Sequence, residues 1–130
     1  MITAQMPLPS QNKSYLLLLS DNPCDLFQYF DVKEMHGLNL KACEEYSNTP
    51  GDAYIAGLCN IDPRGNQPFV FINLSRCTND IKTMGLVMHE LMHLSGKVFK
   101  YDFMHFEEEM ITFAETESYK VLTIIKSTVK

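Results

Sequence analysis

The chain has 130 residues, 45% hydrophobic and 21% charged, with a formal net charge of −5. That is enough for one domain with a single core and not for two, and the balance excludes a disordered or fibrous protein. The eleven Lys and Arg are scattered, so no basic stripe suggests a nucleic-acid or acidic-membrane partner. No apolar run reaches the ~20 residues that a membrane-crossing helix needs.

In chain order, a polar N-terminal dozen leads into "SYLLLLS" (14–20), a buried strand. Its apolar part is shorter than a signal-peptide core and lacks a basic lead-in. "DNPCDLFQYFDVKEM" opens with an Asp that can cap and a Pro suited to a first helical turn, so a short helix is expected. Residues 38–47 are ambiguous between a second short helix and irregular chain, and "SNTPGD" reads as a turn. "AYIAGLCN" and "FVFINLS" read as two strands of a hairpin joined by the turn-rich "IDPRGNQP". The four cysteines, Cys24, Cys43, Cys59 and Cys77, form no CxxC pair. A structural cysteine zinc site is therefore not expected, and free, mostly buried thiols in a reducing cytoplasm are.

"TND" at 78–80 offers N-caps for a helix over about 80–95, with Gly96 placed to end it. Ile81, Met84, Leu86, Val87, Met88, Leu91, Met92 and Leu94 make it apolar nearly all round, the pattern of a central helix. A last helix is expected over about 105–126, its apolar side carrying Phe106, Met110, Phe113, Ala114, Val121 and Ile124. Together these elements describe an α+β fold: a small antiparallel sheet packed against two helices, in one domain spanning 1–130.

Inside the first long helix, "VMHELMHLSG" places His89, Glu90 and His93 in an apolar run. Residues four apart share a helix face, so His89 and His93 can grip one Zn²⁺. Glu90 points ~100° round the helix and can reach a metal-bound water without ligating the metal, the HExxH arrangement in which the glutamate is general base. Two imidazoles and a carboxylate in greasy surroundings are costly unless satisfied, and one zinc ion satisfies all three.

A catalytic zinc needs a third protein ligand. The long HExxHxxGxxH pattern would put it at Phe99, which cannot bind metal. The candidates lie in "FEEEMITFAETE" (106–117). Helical angles put Glu108 opposite the apolar stripe, Glu107 and Glu109 on its flanks, and Glu117 in its middle, where it could hold a ligand histidine in place. First-turn glutamates also suit the helix dipole with no metal role. An oxyanion donor is sought among His105, Tyr101 and Tyr119.

"HELMH", followed about a dozen residues later by "EEEMITFA", resembles the ImmA/IrrE-type metallopeptidases and the small phage and bacterial zincin-like proteins near them. The likeness covers roughly residues 69–117. It implies a gluzincin-type zinc peptidase with His89, His93 and Glu107 as ligands and Glu90 as base. Met110 and Ile111 stand where that family's pattern has Ala-Asn. "FVFINLS" would be the edge strand beside the site, free to hold an extended peptide. The expectation is a cytoplasmic, zinc-dependent peptidase acting on a peptide or protein. Its alternatives are a catalytically silent zincin-like binding module and a zinc hydrolase of a non-peptide substrate.

Overall fold

A computed structural model describes residues 1–8, 13–30, 43, 57–61 and 67–128 of the protein. Four strands form one sheet: β1 (Ile2–Leu8), β2 (Lys13–Ser20), β3 (Gly57–Ile61) and β4 (Pro68–Asn73). Their spatial order is β1-β2-β4-β3. β1 and β2 are antiparallel, with Ile2 opposite Leu19 and Leu8 opposite Lys13. β3 and β4 are antiparallel, with Gly57 opposite Ile72 and Ile61 opposite Pro68. The two hairpins meet in parallel, Leu16 beside Phe69 and Ser20 beside Asn73.

The fold is α+β, as expected, but the sheet is mixed rather than antiparallel. The strand β1 lies in the stretch read as a polar dozen, where Ile2, Ala4, Met6 and Leu8 alternate with Thr3, Gln5 and Pro7. Met6 and Leu8 are buried, and Pro7 is tolerated because β1 is an edge strand, where a missing N–H breaks no ladder.

Both faces of the central strands are covered, which is why β2 and β4 read as unbroken apolar runs. One face, through Tyr15, Leu17, Leu19, Val70 and Ile72, packs against α2 (Asp80–Val98) and α3 (Phe103–Thr128). The other, through Leu16, Leu18, Phe69 and Phe71, packs against α1 (Cys24–Phe30). On that second face Cys24 is disulfide-bonded to Cys43, their Cα atoms 5.6 Å apart, a separation a disulfide spans readily. The expectation of four free thiols is corrected for this pair; Cys59 and Cys77 are free. The ambiguous stretch 38–47 lies outside the described residues except for Cys43, and the "SNTPGD" turn lies outside them altogether. Among the described residues no helix is long and apolar enough to cross a membrane.

Candidate metal centre

A 3₁₀ turn (Leu74–Arg76) connects β4 to α2. Asn79 caps α2, its side chain accepting from the Lys82 N–H at 2.8 Å and its carbonyl accepting from the Thr83 hydroxyl at 2.7 Å. The helix turns Val87, Glu90, Leu91 and Leu94 inward. Ile81, Met84, Met88 and Met92 lie on the opposite side and are exposed. The helix is therefore not central: its all-round apolar pattern is a core face plus an exposed methionine stripe.

His89 and His93 stand on the solvent side and Glu90 on the core side, reversing the expectation that the histidines are buried. Candidate ligand atoms of these three residues lie within 4.8 Å of one another, so the group can hold a metal ion. The two imidazoles sit edge to face, centroids 4.9 Å apart. Burial raises the Glu90 carboxyl above its ordinary value, with His89 pulling the other way. Partial desolvation, the neighbouring His89 and Lys97 together lower the His93 imidazole. A lowered imidazole is neutral, and so able to bind metal, at lower pH.

Two glycines shape the surroundings. A Cβ on Gly57 of β3 would lie 2.7 Å from Glu90 Cγ and 2.8 Å from Oε2, so only glycine leaves room there for the carboxylate. A Cβ on Gly96 would lie 2.5 Å from Cε1 of Tyr101. Gly96 does not end α2, which continues to Val98; it seats the Tyr101 ring. The chain reaches that position through two consecutive left-handed residues, Lys100 and Tyr101, both at φ 56°. The turn is held by Tyr101 N–H donating to Gly96 O at 2.7 Å. Lys97 Nζ lies 3.3 Å from the Tyr101 hydroxyl and donates to it.

The result is an open groove of about 490 Å³ between α2 and α3, lined by Met88, His89, Met92, His93, Tyr101 and Met110 among others. Met110 is tied to α2 by Ser95, whose hydroxyl donates to the Met110 carbonyl at 2.7 Å.

The structure places the remaining candidates apart from the histidine pair. Glu107, Glu108 and Glu109 are exposed and lie outside the three-residue group. They follow a break in α3 at Phe106 (φ −128°, ψ 24°). Glu117 is 1% exposed and occupied elsewhere: Tyr15 donates to its Oε1 at 2.9 Å and Lys120 pairs with its Oε2 at 2.9 Å. It anchors α3 to β2 and does not hold a ligand histidine. His105 is exposed, with Nδ1 2.9 Å from Asp102 Oδ1. Tyr119 lines a separate cleft with Cys77 and Lys126. Of the three oxyanion candidates, Tyr101 alone lines the groove of the histidine pair.

The strand beside Glu90 also differs from expectation. β4 is interior, paired on both sides, and the strand next to Glu90 is β3, at the end of the sheet. The glycine within "AGLC" is the signal that could have found it, because an isolated glycine in a strand marks a close approach. Gly96, read as a terminator, gave no such signal for Tyr101. No protein-family model, curated protein or solved structure matches the chain.

Proposed function

We propose that the protein is a zinc-dependent peptidase of the gluzincin type. The observation that carries this reading is the group itself: two imidazoles one helical turn apart and a carboxylate within 4.8 Å, on a groove open to solvent. Imidazole and carboxylate donors suit zinc. His89 and His93 would hold the ion, and Glu107 would be its third ligand. Glu107 is one turn from the groove-lining Met110 and directly follows the break at Phe106. Glu109 and Glu108 are the next candidates.

A zinc held there supplies Lewis acidity, polarising the scissile carbonyl and acidifying water. Glu90, on the core side of α2 and raised by burial, would take the proton of the attacking water and deliver it to the leaving amine. Tyr101 accepts from Lys97, which turns its own hydroxyl proton away from the lysine and frees it to donate to the oxyanion.

The test is zinc content per chain together with turnover of a mixed peptide library. Wild type should hold about one zinc, which His89→Ala and His93→Ala should lose. Glu90→Gln should keep the metal and stop cleavage. No zinc in wild type after metal is supplied would sink the proposal.

The exposed stripe of Ile81, Met84, Met88 and Met92 favours a second reading, a binding module built on the same fold. Under it, a biological effect of the protein survives Glu90→Gln. A cytoplasmic location belongs to the proposal and meets its test in the Cys24–Cys43 bridge, because cytosolic reductants keep thiols reduced. Both thiols trapped free by alkylation in intact cells would support it. A trapped bridge would assign an oxidising compartment.

A further inference from the structure

Among the described residues, every aliphatic side chain lining the groove between α2 and α3 is a methionine: Met88, Met92 and Met110. A pocket built only to be apolar draws on Leu, Ile and Val as readily, and none of these lines this one. What the three methionines share beyond their apolar surface is a thioether sulfur, a soft donor on an unbranched and adaptable chain. His89 and His93 stand beside them. Five of the eight residues around the groove thus carry sulfur or imidazole nitrogen, the donors of a soft or borderline metal ion.

The helical repeat of α2 brings three of these donors together. Met92 follows His89 by three residues and Met88 by four, the spacings at which helical side chains meet, their Cβ atoms ~5–6 Å apart. Met88 and Met92 are 42% and 39% exposed, so neither side chain is locked in the core. His89 makes no hydrogen bond among the described residues; its ring meets only the edge-to-face ring of His93. Met110, 4% exposed, brings a third thioether from α3, and its carbonyl is fixed to α2 by the Ser95 hydroxyl.

The two kinds of donor select different ions. Zinc takes imidazole, carboxylate and thiolate and leaves thioethers aside. Cu(I) is soft and favours thioether sulfur, with imidazole as a companion ligand. We propose that the groove holds a Cu(I) ion on the sulfurs of Met88 and Met92 and one ring nitrogen of His89, with Met110 as the fourth donor. This site stands apart from the peptidase reading. Both ions need His89, so copper and zinc exclude one another.

The experiment titrates the full-length, metal-free protein with Cu(I) under argon against bicinchoninate, a chelator that colours on binding Cu(I). Ascorbate keeps the copper reduced, and Cys59→Ala with Cys77→Ala removes the two free thiols as rival soft ligands. About one Cu(I) per chain should be withheld from the chelator, with sulfur neighbours in its X-ray absorption spectrum. Met88→Leu and Met92→Leu, closely matched in volume, should each weaken copper binding by at least about tenfold. The melting midpoint of the metal-free protein should not move. His89→Ala should weaken copper as well, and Cu(I) added to zinc-loaded protein should release the zinc. Copper surrendered wholly to the chelator, a spectrum of nitrogen and oxygen neighbours only, or undiminished affinity in the Met88→Leu/Met92→Leu double variant would overturn the inference. Copper retained by a chain that takes up no zinc keeps this site and sinks the peptidase reading. Zinc retained by a chain that takes up no copper does the reverse.

Discussion

Gly57 and Glu90 are in contact across the boundary between sheet and helix: a methyl group on Gly57 would press to 2.7 Å from Glu90 Cγ. Gly57→Ala should therefore push the carboxylate out of place. Overpacking of this kind typically destabilises by ~1–3 kcal/mol, so a lowered denaturation midpoint is expected, with zinc binding kept because both histidines face away. Turnover should fall by at least about tenfold. An alanine variant with full activity would show that the carboxylate's position against β3 is immaterial.

Burying Glu90 also predicts how the metal-free protein responds to pH. Its carboxyl is raised above 4.5, so the folded state holds that proton more tightly than the unfolded chain does. The stability this provides is complete below the ordinary carboxylate value and is lost as pH rises through the raised one. Metal-free Glu90→Gln should thus melt higher than metal-free wild type at neutral pH, by on the order of several degrees. The gap should close as pH approaches 4. Melting curves at a series of pH values in chelator check this.

Zinc affinity should fall as protons compete for the imidazoles. Because desolvation, His89 and Lys97 hold His93 below 6.5, its share of that loss should come on the acid side of the ordinary imidazole value. Competition with a chromogenic chelator between pH 5 and 8 measures it. Loss of affinity centred above pH 7 would contradict the assignment of His93.

Tyr15 and Glu117 form a buried tie between β2 and α3, with the exposed Lys120 pairing Glu117 from the same helix, remote in role from the histidine pair. Glu117→Ala strands the Tyr15 hydroxyl and frees Lys120, which should cost ~1–3 kcal/mol of stability. Zinc content should be unchanged. A Glu117→Ala protein that folds normally but loses its zinc would return Glu117 to the metal.

Reducing the Cys24–Cys43 bridge opens a constraint between residues 19 apart. Such closures contribute ~2–4 kcal/mol, so reductant should lower the unfolding midpoint. The bridge and α2 lie on opposite faces of the sheet, so zinc stoichiometry in the folded protein should survive reduction. Parallel melting and metal analysis with and without dithiothreitol decide both points.

What the chain discloses by itself follows the range of the interactions. β2, β4, both long helices and the spacing of His89, Glu90 and His93 were legible because periodicity and helical repeat are local properties. β1 carried a period-2 signal in Ile2, Ala4, Met6 and Leu8 that the interleaved polar residues masked. The edge strand was misplaced because β2 pairs in parallel with β4, a long-range choice that no local pattern records. The solvent side of α2 was misread for a similar reason: methionines on an exposed stripe look like core until their neighbours are known. The Cys24–Cys43 pairing is a matter of tertiary proximity, which cysteine spacing does not determine. The proposed third ligand, Glu107, is the least legible part, since three consecutive glutamates differ only in direction, and the break at Phe106 alters that direction.

The alternation in β2 makes that strand the frame in which the rest of the molecule is read. Leu17 and Leu19 face α2 and α3, and Leu16 and Leu18 face the disulfide side. Deleting or inserting a single residue there would exchange the two sets and carry Tyr15 away from Glu117. Substitutions on one face leave the other intact, so the two layers are free to diverge separately in composition. A change of length in β2 reaches both at once. Variation among related chains should accordingly be rich in replacements on either side and devoid of insertions within residues 15–19.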